Sequence, residues 1–431
     1  MPFELASPGA RRIAIIGGGI SGMAAAHLLA DTAHVVLFEA EPEFGGHART
    51  RMAGANRDVA VDTGFIVFNN VNYPHLTRLF NELDVPVAPS DMSFGASIDG
   101  GWLEYALQDL GSLFAQKRNL VRPKFWRLAR DVYHFNKHAL ATVKPGMTVG
   151  DLVKTLDLSD WFLDYYISPF SGAIWSMPTA AISDFPAKAM VDFFKNHALL
   201  HHSGQHQWYT VQGGSIEYVR RLTASLQSRG VDLRAGTPVA SIERDPLGAT
   251  VYTQAHAAEH FDAVILATHT NTSLRLLADP RAEETKALTE FKYQPNDIVL
   301  HSDPSVMPKR KAVWSSWNYV EAKNKSEARI DLTYWMNRLQ PLETDQNYFV
   351  TMNGTQPIDP NLIWDQVSLD HPVYDHAALE SQAEVKAFNG TQNTWYCGAW
   401  MGSGFHEDGF ASAVSVVEAM ATRDAAPIAA E

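Results

Sequence analysis

Gly17, Gly19 and Gly22 stand in the order G-x-G-x-x-G, and Glu39 follows a second apolar run, a set of residue types that could hold a dinucleotide. Gly17 permits a tight turn, Gly19 lets the backbone come close to a pyrophosphate, and Gly22 lets a helix pack against the preceding strand. A helix opening at Ile20 and Ser21 would aim its first N–H groups, and the positive end of its dipole, at the phosphate charge. Glu39, followed by Ala40, lies at the spacing where a carboxylate accepts hydrogen bonds from an adenosine ribose. This chemistry needs a strand, a turn, a helix and a second strand. Residues 13–16 are Ile-Ala-Ile-Ile, residues 23–30 are alanine-rich and helix-like, and residues 35–38 are Val-Val-Leu-Phe, so a βαβ unit is predicted with the glycines at its first turn.

The following segment narrows the ligand. Gly45-Gly46-His47-Ala48-Arg49-Thr50 precedes a strand-like run that contains Asp62-Thr63-Gly64-Phe65-Ile66, a continuation that a nicotinamide domain does not need. It resembles the flavin amine oxidase and phytoene desaturase superfamily, in which a second glycine pair with a basic residue lies beside the FAD pyrophosphate and a D-x-G strand passes close to the flavin. The chain departs from that pattern at His47, where most relatives carry arginine, so the basic partner falls to Arg49 or Arg51. At the far end, residues 395–400 around Gly398 read as a buried strand and residues 409–420 as a helix. The resemblance implies that this helix, entered through Asp408, Gly409 and Phe410, points backbone N–H groups at the flavin, where a partial positive charge favours its reduced anion. An acid common after the strand glycine is replaced by Ala399. Val239, and a strand ending at Ala267, resemble the third FAD segment, with Val239 against adenine. Cys397 does not match the cysteine of covalent monoamine oxidases, so FAD held non-covalently is expected.

The fold implied is α/β: a Rossmann-type FAD-binding domain of the amine oxidase (GR2-like) kind with an inserted α+β substrate domain. Residues 1–80, 207–285 and 390–431 would build the first, and residues 81–206 and 286–389 the second. The first insertion reads as helical at 121–141 and 148–156. The second reads as strands at 297–301, 312–319 and 329–335. Residues 421–431 read as a frayed tail. With 431 residues and 46% apolar content, the chain can bury a large core. No run approaches the roughly eighteen apolar residues of a membrane span, and a single cysteine fits a reducing cytoplasm. A net charge of -13 speaks against a nucleic-acid binder.

Other residues keep two readings each. His197 and His201 lie one helical turn apart, as metal ligands do, but no acid or cysteine completes a set nearby, so no metal is expected and a helix end is the plainer reading. His301, on a strand entering the presumed site, is a candidate for orienting substrate or moving a proton, or a buried structural histidine. Lys117, Arg118, Arg122, Lys124, Arg127 and Arg130 surround Phe125, Trp126 and Leu128 in an acidic chain. They form either a helix resting on the inner face of an anionic membrane or a solvated face.

Trp175, Trp314, Trp317 and Tyr334 are the candidate substrate wall, which suits an amine in a cage or a long hydrocarbon chain. The lysine that bonds water at the flavin in amine oxidases has no clear counterpart, since Lys292 precedes the relevant strand. The segments Ile174-Trp175-Ser176-Met177-Pro178, Asn196-His197-Ala198-Leu199-Leu200 and 303–309 resemble a bacterial branch of the superfamily associated with cyclopropane and other modified fatty-acid synthesis, similar to fatty-acid double-bond isomerases. That likeness implies an unsaturated or modified acyl chain as substrate, hydride transfer to flavin N5, and desaturation or isomerisation as the outcome. A flavin amine oxidase that releases hydrogen peroxide and a non-catalytic FAD-binding redox protein are the alternatives.

Overall fold

The computed structural model describes residues 10–201, 204–323 and 329–425. Five parallel strands form its central sheet in the order Asp232–Arg234, His34–Phe38, Arg12–Ile16, Ala263–Leu266, Thr394–Tyr396. The middle strands are continuous apolar runs because both faces are covered. Ile13, Ile15, Val35, Leu37, Ala263 and Ile265 pack on one side against the helices Ile20–Leu29, Ile216–Ser228 and His406–Ala425. Ala14, Ile16, Val36, Phe38, Val264 and Leu266 pack on the other, with Ile242 and Val251 of an antiparallel three-stranded sheet. Two helices of the first face cross tightly at Gly409, where a Cβ would lie 2.8 Å from Ile20 Cγ2 and from Ser21 Oγ.

A second, seven-stranded sheet runs in the order Ile363–Val373, Lys292–His301, Phe349–Met352, Leu332–Trp335, Trp317–Val320, Phe94–Ile98, Leu103–Ala106. Its pairs are antiparallel except Trp317–Val320 with Phe94–Ile98. Helices Pro123–Thr142, Val149–Thr155, Ser168–Trp175 and Ala187–Asn196 share one core with this sheet. Both helices expected in this region are present within two residues of their predicted ends. The strand expected over 312–319 is shorter: residues Lys311–Val313 form a 3-10 turn and the strand begins at Trp317.

The C-terminal segment differs from expectation in two ways. The strand Thr394–Tyr396 stops before Gly398, and Ala399–Met401 is a 3-10 turn. The last helix then begins at His406 and continues to Ala425, so residues 421–425 belong to it and only 426–431 of the expected tail lie outside the described residues. No helix among the described residues is long and apolar enough to cross a membrane.

Asp62 ties the two sheets' surroundings together. Its buried carboxylate accepts from Thr50 Oγ1 at 2.6 Å, from the Ser215 N–H at 2.9 Å and from Gln340 Nε2 at 2.9 Å, and burial raises its pKa to about 6. The hairpin Thr50–Ala53/Val59–Asp62 is thereby fixed to the helix after Ser215 and to the segment following Leu339.

Candidate functional site

A cavity of about 2090 Å³ runs between the two sheets. Its first part is the predicted cradle. Gly17, Gly19, Ile20, Ser21, Glu39 and Ala40 line it, with Val239 and Ala267 from the neighbouring strands. Gly17 has φ +109°, and a Cβ there would fall 2.8 Å from the Ala267 carbonyl oxygen, so the turn requires glycine. Glu39 is held by the N–H groups of Gly18 at 2.6 Å and Glu41 at 2.9 Å, which fixes its carboxylate at the cavity edge.

The fit to FAD rests on this fixed acid and on two further features of this end. A Cβ at Gly19 would meet nothing nearer than Gly46 Cα at 4.0 Å, so the space above Gly19 belongs to the cavity. The helix Ile20–Leu29 has no side chain capping its start, which leaves its first N–H groups and positive dipole end for an anion. Glu39 for a ribose, an uncapped helix for a pyrophosphate and a long cleft beyond them suit FAD. Gly22 and Gly45 do not line the cavity. Gly22 has the packing role expected, with its Cβ position 1.8 Å from the Gly17 oxygen; Gly45 shapes the second turn at φ +128° and donates its N–H to the Gly18 oxygen at 2.9 Å.

The middle of the cavity gathers Gly46, His47, Arg49, Gly64, Phe65, Ile66 and Gly398. Arg49 is committed within the protein: its guanidinium pairs with Asp365 at 2.5 Å and donates to Thr63 Oγ1 at 2.9 Å. Arg51 approaches the same carboxylate at 3.6 Å. His47 stands 5.6 Å from the His371 ring and 6.0 Å from His269, centroid to centroid. Burial lowers the pKa of all three, to about 3 for His371 and about 4 for His269, so these imidazoles are neutral near pH 7. Favourable charge for a phosphate therefore comes from the helix start and backbone rather than from a free cation at His47.

The entry to the last helix is corrected. Ser403, Gly404, Phe405 and His406 line the cavity, whereas Asp408, Gly409 and Phe410 do not. Asp408 turns back on its own loop, accepting from the N–H groups of Ser403 at 3.0 Å and Phe405 at 2.9 Å, and burial raises its pKa to about 6. Gly409 serves the helix crossing and Phe410 lies in the core beside His75. His406, missed in the sequence, is stacked on Phe65 at 4.0 Å and hydrogen-bonded with Tyr218 at 2.8 Å, and burial lowers its pKa to about 3.

The far part of the cavity lies between the helices and the mixed sheet. Trp175, Trp317 and Tyr334 are in its wall, joined by Tyr166, Phe170 and Phe193. Trp314 is not: its indole N–H donates to the Pro308 oxygen at 2.7 Å and its ring packs edge-on against Trp335 and Phe349. His301 is also outside. It is fully buried, with Nε2 2.7 Å from Thr351 Oγ1 and Nδ1 accepting from the Asp303 N–H at 3.1 Å, and burial lowers its pKa to about 4. Both ring nitrogens are used within the fold, so His301 is a structural histidine. His301→Gln is accordingly expected to keep flavin content and turnover within about twofold while lowering stability by roughly 1 to 2 kcal/mol. Turnover measured across pH alongside a melting curve checks this; a lost pH-dependent limb of activity would restore the catalytic role.

His197 caps the helix Ala187–Asn196 and stacks on Phe193 at 3.8 Å, and among the described residues no group of three or more His, Cys, Asp or Glu is placed to hold a metal. Lys292 pairs with Asp375 on the surface. Cys397 is wholly buried, its thiol pushed up to about 12.

Comparison with curated proteins finds no match. Solved structures share the fold. A CLA-producing fatty acid isomerase from P. acnes is 13% identical, with a TM-score of 0.68 over 96% of this chain and 99% of its own. The cyclohexylamine oxidase of Brevibacterium oxydans IH-35A is 14% identical, with a TM-score of 0.67 over 96% and 100%. UDP-galactopyranose mutase is 14% identical, with a TM-score of 0.67 over 96% of each chain. These likenesses concern architecture; the sequence itself matches the family model of flavin-containing amine oxidoreductases over residues 20–339, most of its length. With the cradle, the fixed acid and the uncapped helix in place, the chain belongs to the flavin-containing amine oxidoreductase family and is an FAD-dependent oxidoreductase.

Proposed function

We propose that the enzyme acts on a hydrophobic substrate, an unsaturated or modified fatty-acyl chain, which it desaturates or isomerises. One observation carries this reading: Tyr166, Phe170, Ile174, Trp175, Ile298, Trp317, Tyr334, Val350 and Met352 make an apolar and aromatic wall in the far part of the cavity, and Asp91, an acid in the same lining, is already paired with Arg338 at 2.6 Å. A chain of methylenes gains about 0.8 kcal/mol for each CH₂ taken out of water there, whereas a protonated amine would lose hydration beside an acid whose charge Arg338 already answers. The tyrosines stay protonated, since burial pushes Tyr166 up to about 12 and Tyr334 higher still. A fatty acid isomerase among the structural neighbours supports the same reading.

Bound FAD supplies a two-electron hydride acceptor, from which hydride can return to another carbon or electrons can pass to an acceptor. The protein's own residues exclude water and orient the chain. Trp317 Nε1 is buried in the wall without a hydrogen-bond partner in the protein, so it is placed to donate to a polar group on the substrate. Trp317→Phe is expected to raise KM roughly threefold to tenfold with flavin content unchanged. Steady-state kinetics with the acyl substrate checks this.

The reading itself is tested by anaerobic mixing with a panel of fatty acids, phospholipids and amines, following flavin absorbance and analysing products, because isomerisation leaves no lasting bleaching. Altered double bonds in an acyl product support it. Flavin bleached by amines alone, with hydrogen peroxide released once air is admitted, would replace it by amine oxidation, and a flavin that no small molecule reduces or turns over would indicate a non-catalytic redox protein.

A further inference from the structure

The basic segment noted in the sequence forms a 3-10 turn, Lys117–Val121, followed by the helix Pro123–Thr142. Around it the surface is unusually apolar. Leu110 is 75% exposed, Val121 79%, Leu120 50% and Trp126 52%. They form one patch: Trp126 donates its indole N–H to the Leu120 oxygen at 3.0 Å, its ring lies 5.2 Å from that of Phe114, and Phe114 closes the short helix that begins at Leu110. Isolated exposed apolar residues are ordinary, but a contiguous patch rimmed by charge marks an interaction surface.

The rim is mainly cationic, with Asp109 at the start of the short helix and Asp157 beside Arg127 as its acids. From residue 110 to residue 130 the chain has Lys117, Arg118, Arg122, Lys124, Arg127 and Arg130 and no acid, within a protein of net charge -13. Four of these touch the fold: Arg122 stacks over Trp102 and donates to its carbonyl, Arg127 and Arg130 lie by the buried Asp131, and Lys124 Nζ lies over the Trp161 ring at 5.8 Å. Lys117, Arg118 and Lys124 are exposed, and none of them forms an ion pair among the described residues. The cavity wall reaches this region through Leu107 and Gln108 on one side and Val132 and Asn136 of the helix on the other.

We infer that this face docks on an anionic lipid bilayer, with Leu110, Leu120, Val121 and Trp126 entering the interface and Lys117, Arg118 and Lys124 meeting lipid headgroups. Tryptophan and leucine flanked by lysine and arginine are what an interfacial element needs, and the excess of cations on an acidic protein orients the face toward negative charge. The docking does not depend on the acyl reading of the cavity, because it is measured without turnover.

The holoprotein is sedimented with phosphatidylcholine vesicles and with vesicles that also contain phosphatidylglycerol, at low and high salt. Binding is expected only with phosphatidylglycerol, and Lys117→Glu with Arg118→Glu and Lys124→Glu should weaken it by roughly a hundredfold, at about a factor of five per cation. Val121→Asp should weaken it separately, with flavin content and melting temperature of both variants unchanged. Failure of the wild type to bind at low salt, or equal binding by the triple variant, overturns the inference. A dimer that Val121→Asp converts to monomer would assign the patch to a second copy and overturn it equally.

Discussion

Gly19→Val yields a folded protein that no longer retains FAD. The backbone at Gly19, φ −75° and ψ −175°, is open to a β-branched residue, and a Cβ there meets no protein atom closer than 4.0 Å. Its two γ-methyl groups extend instead into the space where the pyrophosphate must approach the helix start. Affinity is expected to fall at least about a hundredfold, close to 2.7 kcal/mol, with the far-ultraviolet spectrum unchanged. Flavin titration of the apoprotein measures it. Gly22→Ala is the informative contrast, since its Cβ would lie 1.8 Å from the Gly17 oxygen and must separate helix from turn. The first variant loses ligand alone, whereas the second loses ligand and melting temperature together.

The protein without cofactor is expected to unfold in mild acid. Burial lowers His197, His269 and His301 to about 4 and His371 and His406 to about 3. Once unfolded, each takes up a proton near its ordinary value of about 6.5, so the stability present above that value is lost as pH falls toward the folded ones. Asp62, Asp331 and Asp408 act in the opposite direction, because their values of about 6 let the folded state bind protons first. Five imidazoles against three carboxyls leave the unfolded chain ahead by about two protons between pH 6 and pH 4. That corresponds to roughly 2 to 3 kcal/mol per pH unit, a large share of the typical 5 to 15 kcal/mol of total stability. Tryptophan fluorescence of the apoprotein against pH and urea gives the slope, and a stability flat from pH 7 to pH 4 would contradict it.

What the sequence made legible was local. The cradle depends on residues within one βαβ unit, so Gly17, Gly19, Ile20, Ser21 and Glu39 could be read from spacing alone. Residues whose direction depends on distant pairing could not. Ile298 lines the cavity, while His301, three residues along the same strand and beyond an irregularity after Leu300, faces the opposite side. Trp314 looked equivalent to Trp317 but sits in the loop before the strand, where its N–H is already taken. The last helix was read from its small residues at Gly409, although its real start is set by the Asp408 carboxylate gathering the loop at Ser403 and Phe405. His371 gave no local signal, because its place beside His47 comes from the long pairing of Ile363–Val373 with Lys292–His301.

The strand order of the parallel sheet also constrains how the protein is made. Arg12–Ile16 and its glycine turn leave the ribosome first, yet their neighbour Ala263–Leu266 follows some 250 residues later and Thr394–Tyr396 later still. Contacts so distant along the chain form slowly, and the early apolar strands stay exposed meanwhile. Gly398 and His406, which close the cavity, are translated only after the sheet's last strand. The full lining of the flavin cleft is therefore assembled only once Gly398 and His406 have been made, so the cofactor meets a complete site late in synthesis.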